Sequence, residues 1–209
     1  MLMNKRSITR KNCQRNAGIS RRFPEKLREK EGGGMARWLW IFWIYSFLGY
    51  GLEKLFAAAT HAPNQGRKCF LLLPLCPVYG LGMAAVLALP MRGLWLVLWG
   101  GLAATAVEYG FHWACETFLG VRFWDYSRVP GNLRGRVCLP FTAIWGVLTA
   151  LAVWWVQPWV EAIAAAIPWQ VTYACLLVFT ADAVCSAQFL RKTHDIEGLR
   201  WAVHTTWNR

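Results

Sequence analysis

Four carboxylates interrupt otherwise long apolar runs: Glu53, Glu108, Glu116 and Asp182. A charge in such a run costs at least a few kcal/mol if the run lies in hydrocarbon, so it is expected to face a bundle interior or a watered cavity. Glu108 and Glu116 are eight residues apart, and eight helical steps of about 100° return to within about 80° of the same face. Arg67, Arg122 and Arg136 lie in the adjoining basic loops and are natural counter-ions. The chemistry this predicts is a polar pathway in one half of a bundle, formed by Glu53, Glu108, Glu116, Asp182 and Arg136. The competing structural reading is a solvated interfacial carboxylate for Glu53 and Glu116, and an interhelical hydrogen bond for Glu108 and Asp182.

Other chemistries find no signature. There is no G-x-x-x-x-G-K-[ST], no H-E-x-x-H and no G-x-S-x-G. His61, His112, His194 and His204 have no ligand spacing, and no cofactor or metal is expected. The seven Cys residues form no C-x-x-C pair and sit mostly in or beside apolar runs, which predicts free thiols.

The elements that must position these groups are helices. Apolar residues make up 56% of the 209 and charged residues 16%, against about 25% charge in soluble domains. Five runs of near-spanning length occur, at 37–59, 70–90, 94–119, 138–157 and 169–190. Each is close to the ~20 residues that cross about 30 Å of hydrocarbon. Many Trp residues mark run ends, among them Trp38, Trp40, Trp95, Trp154, Trp155, Trp159 and Trp169, as an interfacial belt would. The stretch 158–168, bounded by prolines, is too short to cross and is expected to lie flat in the interface. The expected fold is thus an all-α integral membrane bundle of about five helices occupying 35–191. Residues 192–209 form a cytoplasmic tail.

Charge orients the bundle. With residues 1–34 set aside, Arg37 and Arg92 flank one side, and ten Lys/Arg flank the other: Arg67, Lys68, Arg122, Arg128, Arg134, Arg136, Arg191, Lys192, Arg200 and Arg209. The positive-inside rule then puts the N-terminus outside and the C-terminus in the cytoplasm. The formal net charge of +12 gives no reason to invoke nucleic acid, because eleven of the 23 Lys/Arg fall within residues 1–37 and the loops have this membrane explanation. Residues 1–34 read either as a basic disordered tail on anionic lipid or as an upstream extension, with translation starting at Met35, because the codons of Glu31-Gly32-Gly33-Gly34 resemble a purine-rich ribosome-binding site read through in frame. In the first case the tail opposes the orientation just derived.

Two further patterns stand out. Glu53 and Glu116 each precede a basic loop, a Gly-Arg-x-Cys, a proline and then an aromatic–glycine pair (Tyr79-Gly80 and Trp145-Gly146), which predicts two parallel helical hairpins plus one added helix. The loop Phe123-Trp124-Asp125-Tyr126-Ser127, with the turn around Asn132, reads as interfacial: its aromatics lie at headgroup depth and Asp125 pairs with an arginine.

These residues carry a family resemblance. Trp124-Asp125-Tyr126-Ser127, Asn132-Leu133, Gly135-Arg136-Val137-Cys138-Leu139-Pro140 and Trp145-Gly146 form its strongest stretch. Pro74-Leu75-Cys76-Pro77-Val78-Tyr79-Gly80-Leu81-Gly82, Ser46-Phe47-Leu48-Gly49 with Glu53, Glu108-Tyr109 with Trp113 and Glu116, and Asp182 with Ser186 add to it. Over roughly 45–186 the chain resembles the putative ABC-transporter type IV family, also called the CmpB-like putative ABC transporter permeases. It departs at Cys69 and Leu73, where glycines are usual, at Phe111-His112, where Thr-Ser is usual, and at Gly131, where Phe is usual. The resemblance implies a multi-pass transport component of the bacterial inner membrane, its substrate unspecified, partnered by a separate ATPase subunit or by further copies of itself. Two alternatives fit the same residues. One is an intramembrane enzyme acting on a lipid or isoprenoid head group, with a carboxylate as general base and an arginine on phosphate. The other is a non-catalytic accessory or scaffold subunit.

Overall fold

The computed structural model describes residues 25–60 and 69–199. Arg67, Lys68, Arg200, Arg209, His61 and His204 therefore lie outside the described residues, as does most of the expected N-terminal tail. The chain divides into two units, Met1–Met35 and Ala36–Arg209. Of the first, residues 25–35 are helical. The second unit holds the bundle and every candidate site residue.

Six α-helices carry the described chain: α1 (Glu25–Ala59), α2 (Pro77–Leu87), α3 (Leu94–Ala114), α4 (Leu139–Leu151), α5 (Gln157–Ala166) and α6 (Trp169–Thr193). One π-helical turn, Cys115–Leu119, extends α3, and a second, Ala152–Val156, joins α4 to α5. A two-stranded antiparallel ribbon pairs β1 (Asn132–Leu133) with β2 (Val137–Cys138), in the register Asn132 to Cys138. Prolines fall in the first turn of α2, α4 and α5, where a missing N–H costs nothing. The α3 extension closes on Gly120 in the left-handed region (φ 69°), and α6 closes on His194 (φ 52°), whose N–H bonds Leu190 O at 2.8 Å.

Three helical runs among the described residues are long and apolar enough to cross a membrane: Leu94–Leu119, Leu139–Ala166 and Trp169–Thr193. The five expected spans differ from these in three places. The stretch after Gln157 is helical and continues α4, because the π-helical turn just before it re-registers the backbone ahead of Pro158. The expected span 70–90 contains only the 11-residue α2, about 16 Å long at 1.5 Å per residue. α1 has the length, but Glu53, Lys54 and several Trp and Tyr residues dilute its apolar character.

Residues 69–76, before α2, are irregular, and this segment overturns the expectation of free thiols throughout. Cys69 and Cys76 are joined as a disulfide with Cα atoms 5.5 Å apart. The reversal of the chain brings together two cysteines seven residues apart, which an apolar run read as helix keeps separate. Cys115, Cys138, Cys175 and Cys185 are free.

Contacts fix which ends meet. Arg37 at the start of the second unit pairs with Glu161 of α5, and Trp40 Nε1 donates to Thr172 Oγ1 of α6 at 2.9 Å. At the opposite end, Tyr79 donates to Glu53, Arg136 pairs with Glu116, and His194 Nδ1 donates to Leu119 O at 2.8 Å. A close seam joins α3 and α4: a Cβ on Gly146 would lie 2.4 Å from Val97 O, and one on Gly101 would lie 3.0 Å from Gly146 Cα. Only hydrogen fits between these backbones, the small-residue approach by which helices associate without a hydrophobic driving force. Apolar clusters close both ends, Cys115, Val121, Phe123, Leu190 and Leu199 at the basic end, and Ile41, Tyr45, Met83 and Val160 at the other. Leu199 thus anchors the start of the C-terminal tail in the bundle.

Candidate functional site

Glu108 is the most buried carboxylate among the described residues. It stands on the face of α3 that meets α4, only 4% exposed, fourteen residues into its run. Trp145 Nε1 of α4 donates to Glu108 Oε2 at 2.9 Å, and the Tyr126 hydroxyl donates to Oε1 at 3.2 Å. Each carboxylate oxygen thus has one donor and keeps acceptor capacity. Burial, and then the neighbouring Glu108 carboxylate, push the Tyr126 phenol above its ordinary range, so it stays protonated and donates.

Glu53 accepts from the Tyr79 hydroxyl at 2.7 Å. Tyr79 lies on Gly49, where a Cβ would meet its ring at 2.2 Å, so the glycine sets how close α1 and α2 come. Tyr79 and Trp145 themselves meet edge to face, with centroids 5.1 Å apart. Both carboxylates line one cavity of about 640 Å³, together with Tyr79, Tyr126, Trp145 and Lys54. A second cavity of about 340 Å³ shares Glu108, Tyr79 and Trp145 and is otherwise lined mainly by carbon.

The other three residues predicted for the pathway do not line either cavity. Glu116 and Arg136 form their own cluster: Arg136 Nη2 to Glu116 Oε2 is 2.9 Å, Arg136 Nη1 donates to the Tyr109 hydroxyl at 2.8 Å, and its guanidinium lies 5.1 Å from the Tyr109 ring centroid. Arg122 also pairs with Glu116. Asp182 on α6 accepts from Leu72 N at 3.0 Å, Leu73 N at 2.9 Å and Ser186 Oγ at 3.1 Å. It serves the irregular segment before α2. The backbone there is not helical, and Asp182 satisfies two of its amides. The single cavity expected for all four acids is therefore three separate sites, and Glu108 bonds neither Asp182 nor Arg136.

The loop after α3 packs into the end of the bundle. Phe123 is buried, Trp124 donates through Nε1 to Arg136 O at 2.8 Å and accepts at its carbonyl from His112 Nε2 at 2.9 Å, and Tyr126 reaches Glu108. Asp125 accepts from Ser127 N at 2.8 Å, so it closes its own turn, where the sequence predicts an arginine partner. That backbone hydrogen bond holds the Asp125 carboxyl below the usual range. Asn132 donates to Ser127 O at 3.2 Å and Val129 O at 2.8 Å, and accepts from Gly135 N at 3.0 Å. The Trp124–Asn132 motif is thus the frame that delivers Tyr126 to Glu108 and Arg136 to Glu116.

This geometry is where the motifs of one family fall together. Residues 40–187 match the family described as Putative ABC-transporter type IV. The chain belongs to that family. Within the matched span of this type IV family lie all four acids and the whole loop frame. No curated protein and no solved structure matches the chain. The type IV assignment and the three apolar runs together describe a membrane protein and a transporter component.

Sequence reasoning missed Tyr79 and Trp145 as partners of the acids, though both are visible as aromatic–glycine pairs. It also paired Glu53 with Glu116 as repeat equivalents. By contact, the counterpart of Tyr79 on Glu53 is Trp145 on Glu108: in each case an aromatic donor, followed by a glycine packed on the preceding helix, binds a carboxylate of that helix.

Proposed function

We propose that the protein is the permease-like, multi-pass subunit of a transporter in a bacterial inner membrane, working with a separate ATPase subunit. Its substrate path would be the cavity that holds Glu108 and Glu53. The observation that carries this reading is Glu108 itself: a carboxylate nine-tenths buried, at mid-helix, fixed by two donors and open to a cavity large enough for a small molecule. A purely structural acid would need no such space. Glu116, Arg136 and Asp182 then support the path by holding the loop frame and the irregular segment. In this reading the chain makes five passages, two parallel hairpins (α1–α2 and α3–α4/α5) and the added α6. The irregular residues 70–76 complete the half-length α2, the N-terminus lies outside and the tail lies in the cytoplasm. The membrane bundle would occupy 35–191.

Affinity purification of the tagged chain from native membrane tests this. A co-purifying ATPase subunit is expected, with Glu108→Gln keeping the complex together but losing stimulation of ATP hydrolysis by cargo-containing extract. An intact complex without any ATPase, together with an unaltered Glu108→Gln variant, would overturn the reading and favour an accessory role.

A further inference from the structure

The two cavities that meet at Glu108 differ in character. The larger carries the polar groups: Glu53, Glu108 and the hydroxyls of Tyr79 and Tyr126, with Lys54 as its single cation among the described lining residues. The Lys54 ammonium sits over the Tyr50 ring, 5.8 Å from the centroid. The smaller runs along α1 and the junction of α4 with its π-helical turn, past Leu48, Met83, Leu151 and Trp155. Its rim residues are on the outside of the bundle: Leu48 is 44% exposed and Trp155 72%. This lobe therefore opens sideways between α1 and α4, toward the lipid-facing surface.

Among the described lining residues two acids outnumber one lysine at the polar end, and they stand among aromatic rings: Tyr79 against Trp145, and Tyr126 stacked on Phe141 at 5.0 Å. An anionic head group there would meet two carboxylates. An ammonium would pair with them and sit against ring faces, the arrangement that recognises alkylated amines. A carboxylate held away from water gains most from a partner of that sign.

We infer that the cavity takes an amphiphile with a cationic ammonium head and an apolar chain, entering sideways from the bilayer. The head lies between Glu53 and Glu108, and the chain fills the lobe beside Leu148. This inference rests on the transport reading of the same cavity, but binding needs no ATPase and can be measured on the chain alone.

The test is photolabelling of the purified full-length chain in phosphatidylcholine nanodiscs with a diazirine-bearing dodecyltrimethylammonium, with labelled peptides located by mass spectrometry. Saturable labelling is expected on α1 and α4 around Leu48 and Leu151. Unlabelled dodecyltrimethylammonium should compete for it at least tenfold better than dodecyl sulfate or tetramethylammonium. Glu108→Gln, whose amide oxygen can accept from Trp145 Nε1 while its NH2 donates to the Tyr126 hydroxyl, should weaken labelling about tenfold. Leu148→Trp should block the lobe while leaving the size-exclusion profile unchanged. Labelling spread over the outer surface without saturation, equal competition by dodecyl sulfate or by tetramethylammonium, or insensitivity to Glu108→Gln would each overturn the inference. Specific labelling without a co-purifying ATPase would uphold the ligand and sink the transport reading. A co-purifying ATPase with tail-independent competition would do the reverse.

Discussion

The α3–α4 seam and the α1–α4 cleft use the same α4 for opposite purposes. On one side, Gly146 and Gly101 let two backbones approach closely, and Thr105 Oγ1 donates to Thr142 Oγ1 at 3.1 Å beside them. On the other, Trp145, Ile144 and Leu148 stand off from α1 and leave cavities lined by Glu53 and Glu108. Neighbouring residues, Trp145 and Gly146, serve the two sides. The difference teaches that the site is held by its rigid side: Glu108 lies on α3, its donor Trp145 on α4, and the glycine seam fixes their distance.

The largest effect should come from breaking the seam. Gly146→Leu drives a side chain into Val97 O, and the folded, monodisperse yield after detergent extraction should collapse, with Gly146→Ala intermediate. Gly110 on the same α3 is the control, because a Cβ there meets nothing within 4 Å. Gly110→Ala should be neutral or stabilise by up to about 1 kcal/mol through helix propensity. If Gly110→Ala and Gly146→Ala behave alike, the seam is not what distinguishes the two sides.

Asp182→Ala comes next. It removes the acceptor shared by the amides of Leu72 and Leu73, a loss on the order of 1–3 kcal/mol in thermal unfolding. Asp182→Asn keeps an acceptor and should cost less. Trp145→Phe probes the cleft itself: it keeps the ring against Tyr79 but removes a donor to Glu108, for about 1–2 kcal/mol and a weaker ligand site. Equal stability of Trp145→Phe and wild type would mean that Glu108 is not held from α4.

Smaller still are the charges of the loop frame. Arg136 is largely enclosed and bonds Glu116 and Tyr109, whereas Arg122 is 63% exposed. Arg136→Leu should raise protease cleavage within 120–138, and Arg122→Leu should leave it near the wild-type rate. The smallest effect is acid dependence. The Asp125 carboxyl titrates below its ordinary value because Ser127 N–H binds the charged form. Its contribution is therefore complete above the unfolded value of about 3.9 and fades as pH falls through the lower folded value. The protease resistance of the loop in wild type should exceed that of Asp125→Ala at pH 6, and the difference should shrink as pH falls below about 3.9.

Much of the site is legible in the sequence, but one residue at a time. Glu108 stands out because no short carboxylate fourteen residues into an apolar run can reach water. The Trp124–Asn132 motif stands out by its turn chemistry. Which acid meets which partner is not legible, since periodicity fixes faces of one helix and says nothing about its neighbours. The second span is misjudged for a related reason: 70–76 are as apolar as a helix, yet their backbone is satisfied from α6, by Asp182, a partner 110 residues away from Leu72.

The sequence by itself determined that the chain is helical and membrane-borne, because apolar run length is set by the thickness of hydrocarbon, and it determined which acids would be costly there. Only the tertiary structure decided that four acids serve three sites, that Cys69 meets Cys76, and that the helix continues through Pro158. Those outcomes depend on how closely two backbones approach and on which distant donor or acceptor arrives first, and neither is a property of any local stretch of residues.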